Sequence, residues 1–205
     1  MHGVECYFIE PDLTKHVGIR VAKAINFALQ FTNVNDYDYI LKVDDDVSLP
    51  PNFIELSLKL DADCVGGSGC AQMFKISTFM ALFKGRFPEV VSDDTYCEFM
   101  IIACRKKYAK WPIEPIYHDA TRKHSWIYYY EIGFNRYKLG YDPIHIFFHL
   151  RHGINYIFYL IGYFMAFIRR EKKYPFARQI YRIKMEQIPK QLRDLKNKGR
   201  NFKLN

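Results

Sequence analysis

The sequence predicts an α/β protein, a sheet flanked by helices, and three observations predict it. Short apolar runs of strand length alternate with segments of helical period through the first half of the chain, the pattern of a layered α/β domain. Hydrophobic residues make up 49% and aromatics 17% of the chain, enough to build a core and too many for a disordered polymer. An acidic triplet, Asp44-Asp45-Asp46, stands at the carboxyl end of one apolar run, where open α/β sheets bind their ligands. The length, 205 residues, suits one domain and an extension, since domains mostly run about 100–150 residues.

The elements follow in order. Residues 4–9 (VECYFI) read as a short strand closed by Glu10-Pro11-Asp12. Residues 18–31 carry Ile19, Ala22, Ile25, Ala28 and Leu29 at helical spacing. After a polar turn, Tyr39–Val43 (YILKV) is a strand leading into the triplet. Pro50-Pro51 opens a helix over residues 52–60, because proline is tolerated in a first turn. Residues 63–65 begin a further strand ahead of Gly66-Gly67-Ser68-Gly69. Residues 76–83 are helical, and after Val90-Val91 and Ser92-Asp93-Asp94-Thr95 a second helix covers residues 96–108.

From Ile144 the character changes, and the chain divides into a domain over 1–143 and a basic helical extension over 144–205. The net charge of +8 is unequally spread: from Ile146 onward 14 Lys and Arg face three acids, net +11, which leaves −3 for the rest. Residues 154–168 (INYIFYLIGYFMAFI) carry no charge and lie between Arg151-His152 and Arg169-Arg170. Fifteen residues fall short of the roughly 20 a bilayer span needs. A helix lying in a membrane interface is expected instead, with Tyr156, Phe158, Tyr159 and Tyr163 as interfacial aromatics. Packing of the run against the body is the alternative. Residues 174–198 continue as a basic amphipathic stretch that Pro189 is expected to break. Nucleic acid is not expected as a partner, since the aromatics cluster apart from the charge. The opening residues show no basic segment leading into an apolar one, so no secretory signal is expected. The five cysteines sit in no tight metal spacing and are expected free, in a reducing compartment.

The acids carry the chemistry. Residues i and i+2 of a strand end face the same way, so Asp44 and Asp46 address one site. Three carboxylates repel one another, and a hard divalent ion bridging a diphosphate relieves them. A solvated acidic turn is the plainer reading. Asp93-Asp94 is a second acidic site, either a helix cap or a base beside the first.

At this point the residues resemble family 2 glycosyltransferases. YDYILKVDDDVSLPPNFIEL resembles the family's DxD segment, and GIRVAKAINFAL the helix before it. CVGGSGCAQMFKISTF resembles the acceptor-side segment, with Gly66 and Gly67. VSDDTYCEFMIIACRKK resembles the "ED" motif that heads the catalytic helix. PIEPIYHDATRKHSWIYYYEIGFNRYKLG resembles the strand, histidine and basic segment that follow, so the likeness covers about Val4–Gly140.

The resemblance implies a GT-A-like, Rossmann-like fold with a mixed, mostly parallel sheet, Tyr39–Val43 central in it and parallel to its neighbours. It implies Mn²⁺ or Mg²⁺ held by Asp44 and Asp46, with His118 or His124 able to reach the metal or diphosphate. Either histidine is equally readable as a structural one. Asp94 matches the family's base, and Asp93 stands where the family has Glu. Asp44, Asp45, Arg122, Lys123 and His124 fall to the donor; Trp126 falls to the acceptor side. The implied activity is inverting transfer from a UDP-, GDP- or dTDP-linked sugar to a lipid-linked, glycan or protein acceptor. The expected location is the inner, cytoplasmic face of a membrane, bound peripherally.

Two departures qualify this. Arg122–Trp126 (RKHSW) does not match the QxxRW signature of processive synthases, so no chain-building synthase is expected. The family's first strand and its second, ending in Asp-Asp-Gly-Ser, have no counterpart in the 43 residues before Asp44. The domain is therefore expected to lack the front of its nucleotide-binding half, leaving an exposed strand edge there. The alternative function is a catalytically inactive GT-A-like protein serving as a membrane- or partner-binding module. A metal-dependent phosphotransfer enzyme would explain the acids but not the ordered segments between them.

Overall fold

The computed structural model describes residues 5–67, 69–118, 125–149 and 153–186. The chain forms two compact units, Met1–Lys123 and His124–Asn205.

The first unit is α/β. Helix α1 (Val17–Ala28) is capped by His16, whose ring accepts the Gly18 N–H at 3.1 Å, and runs on into a 3-10 turn at Leu29–Phe31. Then come β1 (Tyr39–Val43), β2 (Val47–Ser48), α2 (Phe53–Lys59), β3 (Cys64–Gly66) and β4 (Ala71–Lys75). Helices α3 (Ile76–Phe83) and α4 (Asp93–Ala103) precede β5 (Tyr108–Lys110) and β6 (Ile116–Tyr117). The main sheet has the order β1-β4-β3-β5, and β2 with β6 forms a separate two-stranded ribbon.

This mixed, helix-flanked sheet meets the α/β expectation, but three details differ. Two of its three pairings are antiparallel: β1 with β4 and β3 with β4; only β3 with β5 is parallel. Four residues join β3 to β4, far too few for a parallel crossover, which needs a dozen or more. Strand β1 is therefore not central and parallel. It lies at one edge of the sheet, antiparallel to β4, with β5 at the other edge. Residues 5–9 form no strand; Tyr7 stacks on Phe31 at 4.8 Å, and a lone strand has no ladder to satisfy its backbone.

The core of this unit is aromatic. Phe74 of β4, Phe79 and Phe83 of α3, and Phe87 pack with Cys64, Cys97 and Ile101. The Phe79 and Phe87 rings lie 4.9 Å apart, and Phe74 meets Phe87 edge-on at 5.8 Å, geometries that aromatic quadrupoles favour. Buried Asn26 of α1 locks the following loop: its amide donates to the Phe87 carbonyl at 2.9 Å and its oxygen accepts the Phe87 N–H at 2.7 Å. All five cysteines are free thiols.

The second unit is helical: α5 (Trp126–Leu139), α6 (Pro143–Phe148), α7 (Tyr156–Ile168), and helical residues 177–186. Ser125 caps α5 through the Tyr128 N–H, and Asp142 caps α6 through the His145 N–H at 2.8 Å. Helices α5 and α7 touch backbone to backbone. A Cβ on Gly133 would collide with the Tyr159 carbonyl, and one on Gly162 with the Tyr130 carbonyl. The Tyr163 hydroxyl donates to the Tyr141 carbonyl at 2.7 Å. This packing places the compact division at 123/124, ahead of the 143/144 boundary read from composition, because the helix before that boundary grips the apolar run after it. Among the described residues no helix is long and apolar enough to cross a membrane. The break expected at Pro189 lies outside the described residues.

Candidate functional site

The site begins with a cross-strand pair. Lys42 of β1 sits opposite Gln72 of β4, so both side chains leave the sheet on one face. Each takes hold of the first turn of α4. The Lys42 ammonium pairs with the Asp93 carboxylate at 2.6 Å, the two side chains only 5% and 8% exposed. The Gln72 amide donates to the Asp94 carbonyl at 3.0 Å. Neither aspartate is the helix cap: Ser92 holds that position in the left-handed region, φ 56°, and both acids lie within the first turn. There the helix dipole favours negative charge.

The β3–β4 turn brings the triplet alongside. The Asp44 N–H donates to the Cys70 carbonyl at 2.8 Å. Next to Cys70, Gly69 adopts φ +98°, and a Cβ there would press into the Asp94 carboxylate, so glycine is what lets that acid approach the turn. Asp93 thus contacts the buried ammonium, and Asp44 and Asp94 lie near enough to attract it. Burial first, then the carboxylates of Asp93, Asp46 and Asp94, push Asp44 up to about 6 against the pull of Lys42. Lys42 is raised despite its own burial, because Asp93, Asp44 and Asp94 hold it charged.

No protein-family model, curated protein or solved structure matches this chain.

The remaining expected residues divide. His118 lies beside the triplet: its N–H donates to the Asp46 carbonyl at 2.9 Å, carried there by the pairing of β2 with β6. Its Nε2 meets the Ser48 hydroxyl at 2.6 Å. Asp45 is exposed in the turn between β1 and β2. Gly66 packs on Gln72 and Tyr108, while Gly67 lies under the ring of Trp111, whose Nε1 donates to the Ala71 carbonyl at 2.9 Å. Trp126 opens α5 in the second unit, its ring on Phe158. Arg122, Lys123 and His124 lie outside the described residues. Asp93 is ion-paired with Lys42 and 5% exposed.

Among the described residues no three His, Cys, Asp or Glu side chains converge to hold a metal ion. The oxygen donors of Asp44 and Asp46 still suit Mg²⁺ or Mn²⁺, which are commonly held by one or two carboxylates together with substrate phosphates rather than by an all-protein cage. Lys42, Gln72, Gly69 and Trp111 are the residues the sequence reading missed. A lysine inside an otherwise apolar strand, two residues before an acid triplet, was the available signal.

One stability effect follows. An aspartate with an ordinary value near 3.9 when unfolded and about 6 when folded disfavours the fold as pH rises through that window. In a chelating buffer, Asp44→Asn should therefore stabilise the protein above pH 7 by about 1–2 kcal/mol, after discounting for solvent screening. The gain should vanish below about pH 4. Thermal unfolding across that range measures it; an equal shift at all pH values would exclude the carboxylate cluster as the cause.

Proposed function

We propose that the first unit is a GT-A-type glycosyltransferase domain using a nucleotide sugar. The observation that carries this reading is that the β3–β4 turn joins the two acidic segments: the Cys70 carbonyl accepts the Asp44 N–H, and Gly69 beside it lies against the Asp94 carboxylate. In the mechanism, Asp94 accepts the proton of an acceptor hydroxyl as its oxygen attacks the anomeric carbon. The bond from that carbon to the diphosphate oxygen breaks on the opposite side, giving inversion. Asp44 and Asp46 would hold Mn²⁺ or Mg²⁺, which supplies charge neutralisation for the departing diphosphate. His118, whose backbone is fixed beside Asp46, would be the histidine on the diphosphate side. Arg122 and Lys123 are the proposed donor-side cations, and Gly66 and Gly67 the acceptor side; His124 and Trp126, which the resemblance adds to these two sets, belong to the second unit. The donor is a UDP-, GDP- or dTDP-linked sugar, and the acceptor is lipid-linked, a glycan or a protein.

One observation favours the inactive alternative. Lys42 already compensates part of the acidic cluster, so the acids do not by themselves demand a metal. Calorimetric titration of Mn²⁺ with and without UDP or GDP separates the two. The transferase reading expects binding that strengthens in the presence of nucleoside diphosphate and is lost in Asp46→Asn. Wild-type protein that binds neither metal nor nucleotide would leave the binding-module reading.

A further inference from the structure

The packing of α7 on α5 resolves the apolar run into two faces. Tyr159, Gly162, Tyr163 and Ala166 point inward and are buried. Ile157, Ile161 and Ile168 are exposed on the opposite side, with half-buried Phe164 between them. Their spacing (157, 161, 164, 168) is a continuous stripe along one side of a helix. Ile154, just before the helix, prolongs the stripe, being 79% exposed. Helix α6 widens it: the Phe147 ring lies 6.0 Å from that of Phe164, and Phe147 and Ile144, one turn apart, are both about half exposed. A globular helix normally turns such residues to the core; here the core face is already supplied by the other side.

The charge around this stripe identifies its occupant. Arg169 and Arg170 follow its end directly and are exposed, as are Lys172, Lys173, Arg178 and Arg182. The whole second unit holds 16 Lys and Arg against five Asp and Glu, net +11. Two copies brought face to face would set two such charges against each other at the rim of the contact. An anionic lipid surface offers apolar depth for the isoleucines and opposite charge for the arginines at once. We propose that the exposed face of α7, extended by α6, rests on an anionic bilayer, with α7 parallel to the surface and the arginine pair among the head groups. This docking does not depend on the transferase reading.

The full chain tests it by co-sedimentation with vesicles of phosphatidylcholine alone and with phosphatidylglycerol added, at low and high salt. The wild type should pellet with the anionic vesicles at low salt and leave them as salt rises. Arg169→Gln with Arg170→Gln should weaken binding roughly 30-fold, about five-fold per charge. Ile157→Glu with Ile161→Glu should abolish it while the melting temperature is kept, since both sites are exposed. Should that pair disturb the fold, the milder Ile161→Ser, expected to weaken binding without altering the melt, takes its place. Equal pelleting with neutral and anionic vesicles at every salt would overturn the charge assignment. A chain that ignores vesicles but sediments as a dimer, split by the isoleucine variants, would make the stripe a self-interface and the proposal wrong. Salt-sensitive binding to an RNA oligonucleotide without any vesicle binding would likewise overturn it.

Discussion

Lys42→Met should lower the unfolding free energy of the first unit by about 3–5 kcal/mol, the cost of leaving a buried carboxylate without its cation. Asp93 would lose its 2.6 Å partner, and Asp44 and Asp94, which Lys42 also attracts, would repel it unopposed. Methionine keeps most of the lysine's length, so the effect reports charge more than packing. Adding Asp93→Asn to the same chain should recover most of the loss, because the stranded charge is then gone. Urea unfolding of the wild type, both single variants and the double variant supplies the cycle. Single and double variants of equal stability would show that the aliphatic stem, not the ion pair, holds β1 to α4.

Asp94→Asn should cut sugar transfer by about 10²–10⁴-fold, the usual contribution of a positioned general base. Binding of nucleoside diphosphate should be unchanged, because the substitution keeps the shape of the side chain and leaves Asp44 and Asp46 in place. The Gln72 contact uses the Asp94 backbone carbonyl, so asparagine preserves it and the first turn of α4 stays where it is. Transfer rates with UDP-, GDP- and dTDP-linked sugars, beside a nucleotide titration, make the measurement. Full activity in the variant would move the base to Asp93, which pairs with Lys42, or overturn the inverting mechanism.

How far the sequence could be read depended on whether a signal was local. Helices α1, α2 and α3 were legible because an apolar period of 3.6 and proline at a helix start are written in consecutive residues. Strand β1 and the acids at its end were legible for the same reason. Strand β4 was not: AQMFK alternates poorly and carries a buried glutamine whose partner lies 22 positions away. Without β4 the sheet order cannot be foreseen, and the resemblance puts β1 in its centre rather than at its edge. Helix α4 was expected to begin at residue 96 and begins at Asp93, because the left-handed residue that starts it is a serine and not a glycine. Lys42 was hidden differently. Its role exists only once residues 42 and 93 are neighbours, and no property of either residue alone announces a buried pair.

The glycines between α5 and α7 set more than a distance. Where each helix lays a carbonyl against the other's glycine, the seam works as a pair of notches: only positions 133 and 162 lack the Cβ that would strike the facing backbone. Sliding α7 by one residue along α5 would carry Ile161 or Tyr163 onto a spot that accepts hydrogen alone. The two helices can therefore shift only together, and the rotation of α7 about its own axis is fixed by the same two contacts. Which isoleucines look outward is thus decided by two residues that have no side chain.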